Sequence, residues 1–271
     1  MTADRSTVPD YLQALRLDGR GFVLLGAGQG IGRQAAHALA QAGADLLLVD
    51  REGARAEQVA AETGGTPCIA EITTRAGMDA VFAQAASRFG DRLSGLVDIV
   101  GMADNQPIAE AGDAVWDWHF DIVLRHAWLA IQACAAGLGE RGGSMVFVGS
   151  MSGSLSIPKQ GIYGAAKAAL HHLVACAAVE LGPRNIRVNA VAPGFVRTPR
   201  LVAAFDETFW TQVEAAVPLG RPAEPADIAK ALLFLASDLS GCISGAVLPV
   251  DGALTRVAAV PAIPIRGAAG A

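Results

Sequence analysis

The stretch FVLLGAGQGIGRQAAHALAQAG (residues 22–43) contains, in order, an apolar run, a glycine-rich turn and an alanine-rich segment. FVLL (22–25) is typical of a buried strand, GAGQGIG (26–32) of a tight turn, and GRQAAHALAQAG (32–43) of a helix. Glycines at such a turn let the backbone approach a pyrophosphate, and the helix that follows offers unpaired N–H groups and a positive dipole end. A glycine turn alone is a weak signal, but strand, turn and helix together are the context that a dinucleotide site requires.

The same alternation of short apolar runs and alanine-rich segments continues along the chain. It predicts right-handed βαβ units and a parallel sheet covered by helices on both faces, which is an α/β fold. The predicted strands are FVLL (22–25), LLLV (46–49), LVDIV (96–100), SMVFV (144–148), IRVNAV (186–191) and AVLPV (246–250). The predicted helices include residues 32–43, 77–90, 127–137 and 161–182.

Asp50 ends the second predicted strand, 18 residues after Gly32. Dinucleotide-binding units place an acidic residue on the ribose hydroxyls at a spacing of about 20 residues. An aspartate there favours NAD, because its charge would repel the additional phosphate of NADP. Arg33 and Arg51 lie near enough in the sequence to leave NADP open, and Asp50 by itself is also an ordinary strand-end residue.

The composition of the chain is that of a compact globular protein. Its 271 residues are 52% hydrophobic and 17% charged, with a net charge of −5,. No basic run or basic face stands out, so we expect no nucleic-acid partner. No uncharged apolar run reaches the roughly 18 residues of a membrane span, and MTADRSTVPD at the start does not resemble a signal peptide. We therefore expect a cytoplasmic protein with no membrane partner.

The cysteines and the paired histidines give no sign of a metal site. The four cysteines form no CxxC pair and are predicted to be reduced core residues: Cys68, Cys134, Cys176 and Cys242,. His171 and His172 are expected on a helix surface or at an interface. No carboxylate–histidine cluster is present in the sequence, so no metal is expected.

Tyr163 and Lys167 are four residues apart in a helix-like segment of a chain with only two tyrosines. Residues at this spacing share a helix face, with Cβ atoms about 5–6 Å apart. A tyrosine with its ordinary pKa near 10 is a poor base, and a neighbouring ammonium, helped by an oxidised nicotinamide, would lower that pKa. Lysine can also relay protons, which arginine cannot do because it stays protonated. Such a pair also arises by chance.

Ser150 precedes Tyr163 by 13 residues and follows the predicted strand 144–148. A hydroxyl at this position could polarise a substrate oxygen. Serine is also a common turn residue, and Ser152 and Ser154 compete for the same role.

In this order and spacing, these motifs resemble the short-chain dehydrogenase/reductase family of NAD(P)-dependent oxidoreductases. The resemblance runs from Leu17 to Gly252. It places the family's glycine pattern on Gly26, Gly30 and Gly32, and its active-site serine, tyrosine and lysine on Ser150, Tyr163 and Lys167. The segments NAVAPGFVRTP (189–199) and FLASDLSGCISGAVLPVDG (234–252) also resemble those of the family.

The resemblance implies a single-domain, Rossmann-type, doubly wound parallel sheet. It divides the chain into an N-terminal extension (1–16), the NAD(P)-binding domain (17–252) with a substrate lid at about 199–218, and a C-terminal tail (253–271). It implies that Tyr163 exchanges a proton with the substrate, that Lys167 lowers the tyrosine pKa and holds the ribose, and that Ser150 holds the substrate oxygen. The implied cofactor-binding residues are Gly26, Gln29, Gly30, Ile31, Gly32, Asp50, Arg51, Glu71, Ile72, Gly101, Met102, Tyr163, Lys167, Pro193, Gly194, Val196 and Thr198.

The sequence departs from the family pattern at three places. Leu25 replaces the usual threonine, GMAD (101–104) replaces Asn-Asn-Ala-Gly, and Val123 replaces the helix asparagine usually joined to the catalytic residues. The first two are expected to be one coupled change to apolar packing, since the family places strands one and four side by side. Valine cannot position the water that extends the lysine's proton path, so we expect a modified relay. Glu71, where the family often has aspartate, is a milder change.

The lid segment carries Phe205, Phe209 and Trp210. These aromatics indicate an apolar or cyclic alcohol or ketone, or else they only pack the lid onto the body. Trp116, Trp118 and Trp128 are expected in the core or at a subunit contact.

The predicted function is therefore NAD(H)-dependent interconversion of a secondary alcohol and a ketone by a homodimer or homotetramer. Two alternatives stay open. One is a non-catalytic dinucleotide-binding sensor or scaffold, which the three departures favour. The other is an NADP-dependent biosynthetic ketoreductase.

Overall fold

The computed structural model describes residues 6–257, and the predicted tail lies largely outside this range. Within it, the strands are β1 Gly21–Leu25, β2 Asp45–Asp50, β3 Thr66–Ile69, β4 Leu93–Asp98, β5 Gly143–Val148, β6 Ile186–Pro193 and β7 Val247–Val250. The α-helices are α1 Ile31–Gln41, α2 Gly53–Thr63, α3 Arg75–Phe89, α4 Asp113–His119, α5 His126–Gly137, α6 Gly161–Leu181, α7 Pro199–Ala204, α8 Glu207–Ala216 and α9 Pro225–Ala236.

The strands form one seven-stranded sheet in the order β3-β2-β1-β4-β5-β6-β7. Every neighbouring pair is parallel. The chain winds outward in both directions from β1 and β4, so the doubly wound α/β fold and the adjacency of strands one and four are confirmed. Ligands of such sheets bind beyond the carboxyl ends of the strands at this switch point.

Two hydrophobic layers cover the sheet. Residues of α3, α5 and α6 pack on one face, against side chains such as Leu25 and Leu96. Residues of α1, α2 and α9 pack on the other face, against side chains such as Leu24 and Val97. Alternate residues of each strand therefore point into different layers, as strand geometry requires.

The sequence prediction missed β3, ended β4 two residues too late and ended β6 two residues too early. β3 is a four-residue edge strand with a proline and only one buried residue, so it lacks the apolar run of a central strand,. β4 ends at Asp98 rather than at residue 100. The reason is that Asp98 Oδ1 accepts the N–H of Val100 at 2.9 Å, which turns the chain out of the sheet.

The segment Gly161–Arg184 is long and apolar enough to cross a membrane by length and composition alone. In this fold α6 instead packs the buried residues Ala166, Leu170 and Val174 onto the sheet. Its apolar character is thus that of a core helix, although only one third of the most apolar window is buried.

Two of the four cysteines differ from their predicted core placement. Cys68 and Cys134 are buried, whereas Cys176 is half-buried and Cys242 is exposed. Cys176 lies on the outer side of α6 beside His172, and Cys242 follows α9 in a turn. The position of each cysteine in the sequence did not distinguish the buried cysteines from the more exposed ones.

Candidate active site

A cavity of about 670 Å³ opens at the carboxyl ends of the strands. Its walls come from the glycine turn, the ends of β2, β4, β5 and β6, the start of α6 and the helix α7. Every residue predicted for the cofactor or for catalysis lines it except Gly32. Residues that are distant in the sequence thus meet at the switch point of the sheet.

The glycine turn is shaped so that side chains would not fit. Gly26 and Gly30 have φ angles of +81° and +56°, which favour glycine,. A Cβ on Gly32 would lie 1.9 Å from the carbonyl oxygen of Gly26. Gly32 therefore lies behind the cavity wall and lets the first turn of α1 pack against the loop. The N-terminus of α1 faces the cavity, an arrangement that fits a pyrophosphate.

Gly28 is a functional residue that the sequence prediction did not single out. Its N–H donates to Asp50 Oδ2 at 2.9 Å, and a Cβ at this position would lie 2.6 Å from the same oxygen. Asp50 Oδ1 accepts the N–H of Glu52 at 3.0 Å. Both carboxylate oxygens are held, so the negative charge has a defined place on the cavity wall. The second glycine of the quoted motif was the available signal.

The arginines near Asp50 have different partners. Arg33 is paired with Glu62 at 2.7 Å and does not line the cavity. Arg55 lines the cavity and is paired with Glu52 at 3.0 Å. Arg51 also lines the cavity and is exposed, and its charge acts on Glu71.

The Ser150 side chain acts on the Tyr163 phenol as a hydrogen-bond partner that lowers the phenol pKa. Ser150 begins a short 3-10 turn after β5, and its Oγ accepts the N–H of Ser152 at 3.1 Å. The Ser150 hydroxyl proton is then free for the phenol oxygen. Burial raises the pKa of Tyr163 above its ordinary value, while the Ser150 hydrogen bond and the charge of Arg200 oppose this shift.

The two competing serines have other surroundings. Ser152 Oγ donates to Gln160 Oε1 at 2.6 Å. Ser154 is exposed and does not line the cavity. Among the three serines, the geometry therefore brings Ser150 to the phenol.

Lys167 is 1% exposed and reaches the cavity from the second turn of α6. Its Nζ donates to the carbonyl oxygen of Val148 at 2.7 Å and lies 5.8 Å from the centroid of the Tyr163 ring. Burial lowers the lysine pKa to about 8, and the Asp98 carboxylate opposes the shift. The ammonium thus faces the tyrosine ring and is held by the backbone of β5.

Gly101, one of the departures from the family pattern, leaves room for this lysine. Its φ is +155°, and a Cβ there would lie 2.8 Å from Lys167 Nζ. The other two departures, Leu25 and Val123, are fully buried in the same hydrophobic layer. The wall around the lysine is therefore largely apolar.

Asp98 and His126 are a buried polar pair in this apolar wall, and the sequence prediction did not identify them. Their Oδ2 and Nε2 atoms are 2.9 Å apart. Asp98 was part of a run interpreted only as a buried strand. An aspartate inside such a run was itself the signal, because buried carboxylates are rare without a partner.

His172 is exposed as expected, whereas His171 is half-buried. His171 Nε2 accepts the backbone N–H of Ser150 at 3.4 Å, so the ring lies behind the serine rather than on a free surface. Burial and the charge of Lys167 lower its pKa to about 4, which keeps it a neutral acceptor.

The three aromatic residues of the predicted lid have different surroundings. Phe205 lines the cavity and stacks on Phe209 with ring centroids 4.1 Å apart. Phe209 and Trp210 do not line the cavity, and Trp210 is buried with Arg197 over its ring. Trp118 lines the cavity from α4, in contrast to its expected place in the core or at a subunit contact.

Comparison with known proteins agrees with this geometry. The family model described as Enoyl-(Acyl carrier protein) reductase matches residues 26–255. Galactitol 2-dehydrogenase (L-tagatose-forming) of Cereibacter sphaeroides is 37% identical over 91% of this chain and 99% of its own length. L-xylulose reductase of Bos taurus is 36% identical over 88% of this chain and 97% of its own length.

A solved structure has the same architecture. It is a 7α-hydroxysteroid dehydrogenase in complex with NADH and 7-oxo glycochenodeoxycholic acid, with a TM-score of 0.84 and 31% identity. The alignment covers 89% of this chain and 96% of the other. With a matching sequence and fold, the chain belongs to the short-chain dehydrogenase/reductase family and is an oxidoreductase.

Proposed function

We propose that the protein is an NAD(H)-dependent oxidoreductase that interconverts a secondary alcohol and a ketone, with Tyr163 as general acid and base. The observation that carries this proposal is one continuous cavity, lined at one end by the glycine turn and Asp50 and at the other by Ser150, Tyr163 and Lys167. The named activities of the similar proteins, on galactitol, L-xylulose and a hydroxysteroid, support the same reaction class.

The residues of the cavity suit the proton half of this reaction. In alcohol oxidation the Tyr163 phenolate takes the hydroxyl proton, and in ketone reduction the phenol gives it back. The Ser150 hydroxyl donates to the reacting oxygen or to the phenolate and so stabilises negative charge on either. A bound oxidised nicotinamide dinucleotide supplies the hydride acceptor and a positive charge.

The pKa directions set the pH dependence of each reaction. Burial raises the tyrosine pKa in the free protein, with Ser150 and Arg200 opposing it. Oxidation needs the phenolate, so its rate is expected to rise with pH up to that pKa. Reduction needs the phenol and is expected to fall over the same range.

Asp50 supports NAD over NADP. Its carboxylate is fixed by Gly28 and Glu52, and Arg33 is engaged with Glu62. A second phosphate placed beside Asp50 would meet a fixed negative charge. Arg51 and Arg55 on the same wall are the residues that favour the NADP alternative.

The substrate end of the cavity is mixed in character. Met151, Phe195 and Phe205 give it apolar surface, which supports an apolar or cyclic alcohol, and Arg200 adds a positive charge. Arg200 forms no ion pair with any residue from 6 to 257. We also propose a homodimer or homotetramer, as the exposed apolar part of α6 would allow.

The test is a turnover assay with NAD and a panel of secondary alcohols, following nicotinamide absorbance. Tyr163→Phe is expected to lower kcat at least 100-fold, in the range that positioned acid–base groups contribute. Tyr11→Phe is the matched control, because Tyr11 is the other tyrosine and is 65% exposed. NADH binding without turnover of any alcohol or ketone would favour the sensor alternative, and tighter binding of NADPH would favour the ketoreductase.

A further inference from the structure

Asp98 and His126 are buried at the level of the catalytic lysine. Their side chains are 2% and 1% exposed. The sheet register pairs Asp98 with Phe147, the residue before Val148, whose carbonyl oxygen accepts from Lys167. Asp98 lies two residues after Leu96 on β4. Its side chain therefore points to the same face of the sheet as Leu96, the face that α5 and α6 cover,.

The hydrogen bonds of Asp98 hold its carboxylate in one orientation. Oδ1 accepts the N–H of Val100 at 2.9 Å, and Oδ2 lies 2.9 Å from His126 Nε2. Nε2 must carry the proton, because an ionised carboxylate only accepts. The carboxylate is thus tied to both the strand end and α5.

The other ring nitrogen of His126 indicates the charge of the pair. Nδ1 is buried and has no hydrogen-bond partner within the described part of the chain, residues 6–257. A buried, unpartnered ring nitrogen is less unfavourable as a neutral lone pair than as an N–H of a cation. The pair is therefore best satisfied as a neutral ring and a carboxylate, with one net negative charge.

Lys167 carries the opposite charge, and its buried ammonium requires a negative group nearby. Its ammonium is buried and makes one hydrogen bond within residues 6–257, to the carbonyl oxygen of Val148. Burial lowers its pKa to about 8, and Asp98 is the charged group that opposes this shift. Leu25 and Val123, in the same layer, are fully buried and apolar.

We propose that Asp98 is a positioning residue for Lys167: its carboxylate, oriented by His126, is the buried counter-charge that keeps the lysine an ammonium beside Tyr163. This role rests on the proposed function, in which the phenol depends on that ammonium. It also gives a role to the aspartate and the histidine in this largely apolar wall.

Other titratable groups near this cluster do not supply the same charge. Tyr163 and His171 lie on α6 with Lys167, and the lysine charge disfavours a charged His171. Glu71, after β3, accepts a hydrogen bond from the Thr73 hydroxyl at 2.7 Å, and Arg200 in α7 acts on Tyr163. Within residues 6–257, Asp98 is the acidic group that acts on Lys167.

The lysine charge can be measured without turnover, because the chain has three lysines: Lys159, Lys167 and Lys230. In a Lys159→Arg/Lys230→Arg background, ¹³Cε-labelled lysine gives one NMR signal, whose titration follows Lys167. Asp98→Asn keeps the shape of the side chain and an acceptor for Val100. It is expected to lower the Lys167 titration midpoint by about one unit or more.

Leu96→Ala is the matched control. Leu96 lies on the same strand and face and is fully buried, so its truncation lowers stability but leaves the charges in place. Its Lys167 midpoint is expected to stay at the wild-type value. If Asp98→Asn does not fold, Asp98→Val/His126→Leu replaces the whole pair by apolar groups, which buried pairs often tolerate. The Lys167 titration midpoint is expected to fall in this double variant as it does in Asp98→Asn.

A Lys167 midpoint that stays unchanged in a folded variant without Asp98 would overturn the proposal. With a shifted midpoint, the rising limb of kcat/KM for alcohol oxidation is expected to move to higher pH, with kcat affected more than KM. A shifted midpoint together with full turnover by Tyr163→Phe would support the counter-charge and overturn the proposed function, so the two failures are distinguishable.

Discussion

Replacing Lys167 by methionine is expected to stabilise the protein while it abolishes turnover. The lysine is buried, and its pKa falls from 10.5 to about 8 on folding. Keeping the ammonium in the folded protein at neutral pH therefore costs about 3 kcal/mol. Methionine removes this cost but loses the hydrogen bond to Val148, worth about 1–2 kcal/mol,. The expected net gain in the free energy of unfolding at pH 7 is about 1–2 kcal/mol.

The sign of the pH dependence follows from the direction of the shift. Between the folded pKa of about 8 and the unfolded value of 10.5, the unfolded chain binds a lysine proton that the folded chain lacks. Stability of the wild type therefore rises with pH across this window, and that of Lys167→Met does not share this rise. The advantage of the variant is full below pH 8. Because the wild type gains about 3 kcal/mol across the window, the variant is expected to be the less stable protein, by about 1–2 kcal/mol, at pH 10.5,.

Urea unfolding at about pH 7 and pH 10 measures both quantities. Lys230→Met is the matched control, because Lys230 is 76% exposed and its contact with Asp227 is a surface pair. This control is expected to change stability by less than about 0.5 kcal/mol at either pH. Equal destabilisation of Lys167→Met at both pH values would refute the reasoning, since it would show that the buried ammonium carries no desolvation penalty.

Substitutions at three further positions test the cavity and the predicted lid. Gly32→Ala places a Cβ 1.9 Å from the Gly26 carbonyl oxygen, so NADH binding measured by fluorescence is expected to weaken at least tenfold, and an unchanged Kd would contradict the assigned turn geometry. Asp50→Ala is expected to weaken NADH binding. It is also expected to change the ratio of the NADPH and NADH dissociation constants about tenfold in favour of NADPH, which corresponds to about 1.4 kcal/mol. An unchanged ratio would show that Asp50 does not select the cofactor. Trp210 Nε1 has no partner among residues 6–257. Trp210→Phe is therefore expected to change unfolding free energy by less than about 1.5 kcal/mol, whereas Trp210→Ala loses about 3–5 kcal/mol, and similar losses in both would indicate a bond to Nε1.

Local patterns were sufficient for the α/β class and for the first elements of the site. Apolar runs of four to six residues between alanine-rich segments indicated a parallel sheet, because strands buried on both faces need no polar alternation. The spacing of Tyr163 and Lys167 indicated a shared helix face, and α6 places both on the cavity. Short edge strands such as β3 escape this reasoning, since they are only partly buried.

What the sequence by itself determined is therefore what depends on nearest neighbours along the chain: the strand–turn–helix unit, the helical tyrosine and lysine, and the acidic end of β2. Only the tertiary structure decided which distant groups share one buried space. Asp98 meets His126 and acts on Lys167, and His171 accepts from Ser150, because β4, β5, α5 and α6 pack together. Electrostatic effects depend on distance through space and on the removal of water, and neither quantity is written in the order of residues.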